Sequence, residues 1–239
     1  MMRMHHIIKS LSVLFLLAAL NTVNAAATEA SAGKIVLLIG KASVIDAAGN
    51  PRKLKRGGIF FEGDTFETEK KSFVKLKYTD GGVMLLRPDT KLVVEEFKNP
   101  EKGVGKSVFN LVKGGLRAVT GAVAQKDPST YKLKTPVATL GVRGTDYVVR
   151  YCSGNCGDLE NLGVPAPQDG LYTGVSSGGI VLTNGGGSRQ YNAGQFGYAT
   201  SWNTPPGQLT EAPGILEVDN LPDPLASEGD DFIAGNACE

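Results

Sequence analysis

Residues 131–151, YKLKTPVATLGVRGTDYVVRY, constrain the fold more than any other stretch of this chain. Tyr131 and Leu133 alternate with Lys132 and Lys134, and further on Tyr147, Val149 and Tyr151 alternate with Val148 and Arg150. A period of two marks a strand with one buried face. Between the two runs, Thr135 precedes Pro136 and is pushed out of the helical region. Gly141 and Gly144 flank Val142 and Arg143, so the backbone there can bend or approach another segment closely. The expected arrangement is two strands joined through a tight corner, with Thr145 and Asp146 just beyond it. A guanidinium carries five donors in a planar fork. Arg143 is therefore expected to lock the corner by bonding carbonyls, and contact with an anion or a partner is the alternative reading.

The rest of the chain follows the same grammar. Its 31 glycines and 12 prolines, with few aromatic residues, predict many short strands and turns. Beyond the first 25 residues no window carries apolar side chains at helical spacing over three turns. Residues 34–39 and 42–46 read as strands separated by Gly40, with a turn at Gly49-Asn50-Pro51. In residues 72–78, Val74, Leu76 and Tyr78 share one face while Lys75 and Lys77 share the other; Asp80-Gly81-Gly82 then closes a hairpin onto residues 83–86. Residues 91–97 and 106–112 form the next expected pair, and strands resume within 170–199. The expected fold is all-β, a sandwich or a short solenoid, over residues 33–202. Residues 41–57 and 179–194 share a strand, a glycine turn, a second strand and a closing glycine. That is either a duplicated unit or the ordinary likeness of glycine-rich hairpins.

Arg3 and Lys9 precede an apolar run at 11–20 broken only by Ser12, and Val23-Asn24-Ala25 follows. This reads as a signal peptide over residues 1–25, cut between Ala25 and Ala26, with 26–32 a short lead into the fold. The run is shorter than the ~20 residues of a membrane helix, and no later segment approaches that length. The expected destination is the periplasm, where disulfides persist. The two histidines, His5 and His6, leave with the leader. Without imidazole, Ser-His and Cys-His nucleophiles and His-containing metal sites are excluded. The sequence is read as a non-enzyme, with no catalytic residue, cofactor or metal site assigned.

Residues 33–150 hold 22 Lys and Arg against 12 Asp and Glu, a net of +10; residues 151–239 hold one basic residue, Arg189, against 11 acidic ones, a net of −10. A basic half attracts polyanions, and an attached acidic half can neutralise it from within. Export removes nucleic acid from the list of partners. Cys152 and Cys156 bracket a three-residue loop and are expected to form a disulfide, with free or redox-active thiols and a metal site as alternatives. Cys238 has no evident partner in the sequence. Residues 203–239 read as a Pro-rich acidic tail. Its apolar residues Leu209, Ile215, Leu216, Leu221 and Phe232 either fold back on the domain or form a partner-binding segment.

Thr135-Pro136-x-Ala138 followed by Gly141-Val142-Arg143-Gly144-Thr145-x-Tyr147-x-Val149 resembles the signature of the FecR periplasmic domain family. Five further blocks are similar to that family: Leu54-x-x-Gly57, Gly63-Asp64-Thr65-Phe66-x-Thr68, Leu86-x-Pro88-x-Thr90-x-Leu92, Gly114-Gly115-Leu116-Arg117-Ala118 and Tyr191-x-x-Gly194-Gln195. Together they cover about residues 33–200. The resemblance implies a FecR-type β domain acting as an interaction or signalling module in a Gram-negative cell envelope. The long family members add a cytoplasmic anti-sigma segment and a membrane helix, and receive a signal from an outer-membrane transducer. Here the leader stands in their place. The resemblance thus transfers the β domain and an envelope partner, a membrane protein or an outer-membrane component. A binder of envelope polyanion or glycan, such as lipopolysaccharide or peptidoglycan, is the competing expectation.

Overall fold

The structure is a computed structural model that describes residues 30–154, 156 and 167–216. The leader, its Ala25–Ala26 cut site, Leu221, Phe232 and Cys238 lie outside the described residues. Fifteen strands follow one another: β1 (Gly33–Ile39), β2 (Ala42–Ile45), β3 (Pro51–Arg52), β4 (Ile59–Phe60), β5 (Thr65–Thr68), β6 (Phe73–Tyr78), β7 (Val83–Leu86), β8 (Lys91–Lys98), β9 (Lys106–Val119), β10 (Tyr131–Lys134), β11 (Thr139–Cys152), β12 (Gly170–Asn184), β13 (Gly187–Asn192), β14 (Phe196–Ala199) and β15 (Gly207–Leu209). One short helix, α1 (Ala122–Lys126), interrupts them. The fold is all-β.

All fifteen strands belong to one mixed sheet folded over on itself. Three long strands, β9, β11 and β12, run through both leaves. The second half of β9 pairs with β7 and with the second half of β11, which pairs with the first half of β12. With β4, β1 and β6 on one side and β14 and β15 on the other, these form the first leaf. The first half of β9 pairs with β8 and β10, the first half of β11 with β10 and the second half of β12, and the second leaf ends in the β2–β3 hairpin at one edge and β13 at the other. The two similar sequence segments, 41–57 and 179–194, therefore supply hairpins at opposite edges of one leaf. Among the described residues only β9 and β10 pair in parallel, and α1 with the turn Pro128–Thr130 provides the crossover that parallel pairing needs.

The alternation predicted by the sequence turns one face of each leaf inward. Tyr78 of β6 meets Phe97 of β8 at 5.2 Å and Phe109 of β9 at 5.3 Å between ring centroids, so the aromatic rings join the leaves. Phe60 of β4 sits edge-on to Phe66 of β5 at 5.5 Å and to Tyr78 at 5.1 Å. Two buried hydroxyls, those of Tyr131 and Tyr147, satisfy each other at 2.8 Å across the core. Burial pushes the phenols of Tyr78, Tyr131 and Tyr147 above their ordinary range near 10. These groups stay neutral in the fold, while the unfolded chain ionises near pH 10, so their stabilising effect is complete below that pH and declines as pH rises beyond it. Alkaline titration should show phenolate absorbance from these three rings appearing together with loss of near-UV circular dichroism. Smooth phenolate formation in a still-folded protein would contradict this.

Candidate interaction surface

The family-like blocks converge on the bends of the long strands. β9 bends at Gly114-Gly115, where Gly114 adopts φ +85°. Thr90 Oγ1 donates to the Gly115 carbonyl and accepts from the Gly115 amide, both at 2.9 Å. Thr68 Oγ1 donates to the Arg87 carbonyl at 2.6 Å and accepts from the Thr90 amide at 2.9 Å. Two buried threonines thus tie three separate blocks into one knot. Asp64, also buried, accepts from the Phe61 amide at 2.8 Å and pairs with Arg52. Asp80 seats α1, its carbonyl accepting from the Ala122 amide at 2.9 Å and its carboxylate from the Val123 amide at 3.3 Å.

The corner in β11 works the same way, with a correction to the sequence reading. Thr135 closes its own turn, its hydroxyl donating to the Ala138 carbonyl at 2.8 Å, with Pro136 inside the turn. Gly141 faces open space, and Gly144 takes φ +54° at the corner. Thr145 Oγ1 donates to the Gly179 carbonyl at 2.8 Å and accepts from the Arg143 amide at 3.1 Å, while its own amide donates to Thr120 Oγ1 at 2.9 Å. The corner lock is Thr145. The Arg143 side chain is exposed and bonds no carbonyl among the described residues. Strand parity explains this: Leu140 and Val142 point inward, so Arg143 points out. Thr145→Val should lose about 1 kcal/mol by orphaning the partly buried Gly179 carbonyl and Arg143 amide, and Arg143→Lys should stay within about 0.5 kcal/mol of the parent. Side-by-side thermal unfolding checks both; a reversed order would restore the arginine as the lock.

Charge is unevenly compensated over the surface. On the second leaf, Lys91 pairs with Glu67 at 2.6 Å, Lys106 with Glu96 at 2.7 Å and Lys134 with Glu95 at 2.6 Å. Lys98 meets Glu62 at 2.8 Å; burial pushes the Glu62 carboxyl up, but hydrogen bonds from Lys98 and the Phe97 amide outweigh that and hold it below the usual carboxylate range. The acids of the basic half are mostly engaged there, in turns, or in the Arg117–Asp146 pair at 2.8 Å. At the free edge of the first leaf, Lys34, Lys53, Lys55, Arg56 and Lys77 are exposed and form no ion pair among the described residues. Lys34 of β1 lies directly opposite Lys77 of β6 and opposite Ile59 of β4. The turn carrying Lys55 and Arg56 is fastened to β1, the Gly57 amide donating to the Ile35 carbonyl at 2.7 Å and the Ile35 amide to the Gly58 carbonyl at 2.8 Å.

Residues 64–157 match the family model described as FecR protein. Over that segment the chain is similar to FecR proteins. The matched FecR segment begins at the buried Asp64, contains both threonine-locked bends and ends just past Cys156. It is shorter than the 33–200 span of the sequence blocks. No curated protein matches the chain. Among solved structures, a cell surface anchoring domain is 29% identical over 26% of this chain and 82% of its own, with a TM-score of 0.25. Two crystal structures of a Parabacteroides distasonis protein described as an anti-sigma factor are 11% identical with TM-scores of 0.46, covering 62% of this chain and 60% of theirs. The chain thus spans 60% of the length of that protein.

Cys152 and Cys156 are joined in a disulfide at the end of the FecR segment, with Cα atoms 5.5 Å apart. Both cysteines pack with the buried Ile215. Arg87, buried in the same face of the first leaf, donates to the Leu216 carbonyl at 3.1 Å. Beyond the segment, β15 pairs with β14, so the sheet continues past Trp202 into residues first read as tail. Of the scattered apolar residues there, Ile215 and Leu216 fold back and are buried. Sequence reasoning missed Arg87 and Arg150 as buried residues; they lie on opposite sides of Gly115 in register, which only the strand pairing discloses. Among the described residues no group of three His, Cys, Asp or Glu could hold a metal ion, and no helix is long and apolar enough to cross a membrane.

Proposed function

We propose that this FecR-like protein is a non-enzymatic interaction or signalling module of the Gram-negative periplasm. It is exported on residues 1–25, cleaved between Ala25 and Ala26, and acts on an envelope membrane protein or outer-membrane component. The observation that carries this reading is the use of the signature residues. Thr68, Thr90, Thr135 and Thr145 are each committed to holding a bend, which suits a rigid scaffold that presents its exterior. N-terminal sequencing of mature protein from a Gram-negative periplasmic fraction should begin at Ala26. Retention of the apolar run would overturn export by cleavage. Capture of one membrane protein from solubilised envelope should resist high salt, since a packed interface is not held by screened surface charge.

A second reading is favoured by the uncompensated cations at the β1–β4–β6 edge: the basic half binds an envelope polyanion. Binding to lipopolysaccharide or peptidoglycan sacculi that is released by moderate salt would support it. Indifference to both polymers at low salt would remove it.

A further inference from the structure

The geometry points to the outer face of β4, β1 and β6 as a docking surface for an anionic lipid headgroup layer, which cations attract and apolar side chains enter. This deepens the second reading and rests on it. Residues directly opposite on adjacent strands share a face, and from the free edge the register draws the row Ile59, Lys34, Lys77, Val83 and Val119, after which it reaches Asp146, whose carboxylate is neutralised by Arg117. Ile59 is 54% exposed and Val119 37% exposed, with Lys55 and Arg56 on the turn just before Ile59. Lys34 and Lys77 are like charges directly opposite each other, an arrangement that is destabilising unless an anionic field relieves it.

The mixture selects among occupants. A soluble anionic polymer rewards the lysines but leaves Ile59 and Val119 in water. Protein interfaces anchor on Trp, Tyr and Arg and are depleted in Lys, whereas this row offers two lysines and no aromatic ring. A lipid interface takes both components, the cations at the phosphates and the aliphatic side chains at the acyl boundary. The opposite leaf provides an internal contrast, because Lys91, Lys106 and Lys134 are already neutralised by glutamates.

Co-sedimentation of the mature full chain with phosphatidylcholine vesicles, with and without phosphatidylglycerol, tests this. Binding is expected only when phosphatidylglycerol is present and should weaken with salt. Lys55→Glu should reduce it by at least about five-fold, the effect of one cation near an anionic surface. Ile59→Ser should reduce it by about ten-fold, the loss of a partly buried aliphatic side chain. Lys132→Glu, an equal charge change on the second leaf, should bind as the parent does. All three positions are exposed, so unchanged melting temperatures are expected and verify that each variant folds. Equal losses from Lys55→Glu and Lys132→Glu would overturn the assignment of the face. Binding to soluble dextran sulfate with Ile59→Ser behaving as parent would overturn the lipid while leaving the polyanion reading intact. No binding to vesicles or to dextran sulfate would overturn both.

Discussion

Gly114→Ala is expected to be among the most damaging single-methyl substitutions in the protein, lowering stability by about 2–5 kcal/mol. Gly114 combines φ +85° with a backbone approach that leaves no room for a side chain. A Cβ there would lie 2.4 Å from Thr90 Oγ1, 2.5 Å from Thr90 Cα and 2.6 Å from the Asp89 carbonyl oxygen. The left-handed conformation alone costs an L-residue about 1–2 kcal/mol, and forcing extra volume into a packed site adds about 1–3 kcal/mol. Relief by a backbone shift is blocked, because Thr90 holds Gly115 through two hydrogen bonds. Denaturant unfolding would show a lower midpoint at unchanged slope. A variant within about 0.5 kcal/mol of the parent would mean that the β9 bend relaxes freely.

Phe60→Ala is expected to lose about 3–5 kcal/mol, the range for emptying a fully buried aromatic site. Phe60 is 0% exposed, in a strand of only two residues. Its ring stands edge-on to Phe66 on one leaf and to Tyr78 on the other, at interplanar angles of 84° in both cases. Gly33 faces the ring, with a Cβ position 2.6 Å from Phe60 Cζ, so the site is filled to its wall. The neighbouring Ile59→Ser should be nearly neutral, since that side chain is more than half exposed. Equal losses from the two substitutions, measured by chemical unfolding, would show that β4 is not part of the core.

What the sequence disclosed followed from parity. The β6–β7 hairpin was legible because Val74, Leu76 and Tyr78 alternate with lysines and Asp80-Gly81-Gly82 supplies the turn. The three long strands were not read at full length. Gly114-Gly115, Gly144 and Gly178-Gly179 each lie inside a strand that bends and continues. A glycine in a strand marks a bend or a close approach as readily as a boundary. Arg143 points out for a related reason: donor capacity does not set side-chain direction, and Leu140 and Val142 place that guanidinium outside. Thr145 carried too weak a signal alone, because its partners at Gly179 and Thr120 are distant in sequence.

Because β9, β11 and β12 each belong to both leaves, the boundary between the leaves is not a fracture line. Opening one leaf would tear the ladders of the other, so the two should lose their amide protection from hydrogen exchange in a single event. The two- and three-residue edge strands β3 and β15, which bury no large aromatic side chain, can fray independently. A pull applied at one leaf would therefore be carried along covalent backbone into the other, making the domain a stiff link in whatever assembly it joins.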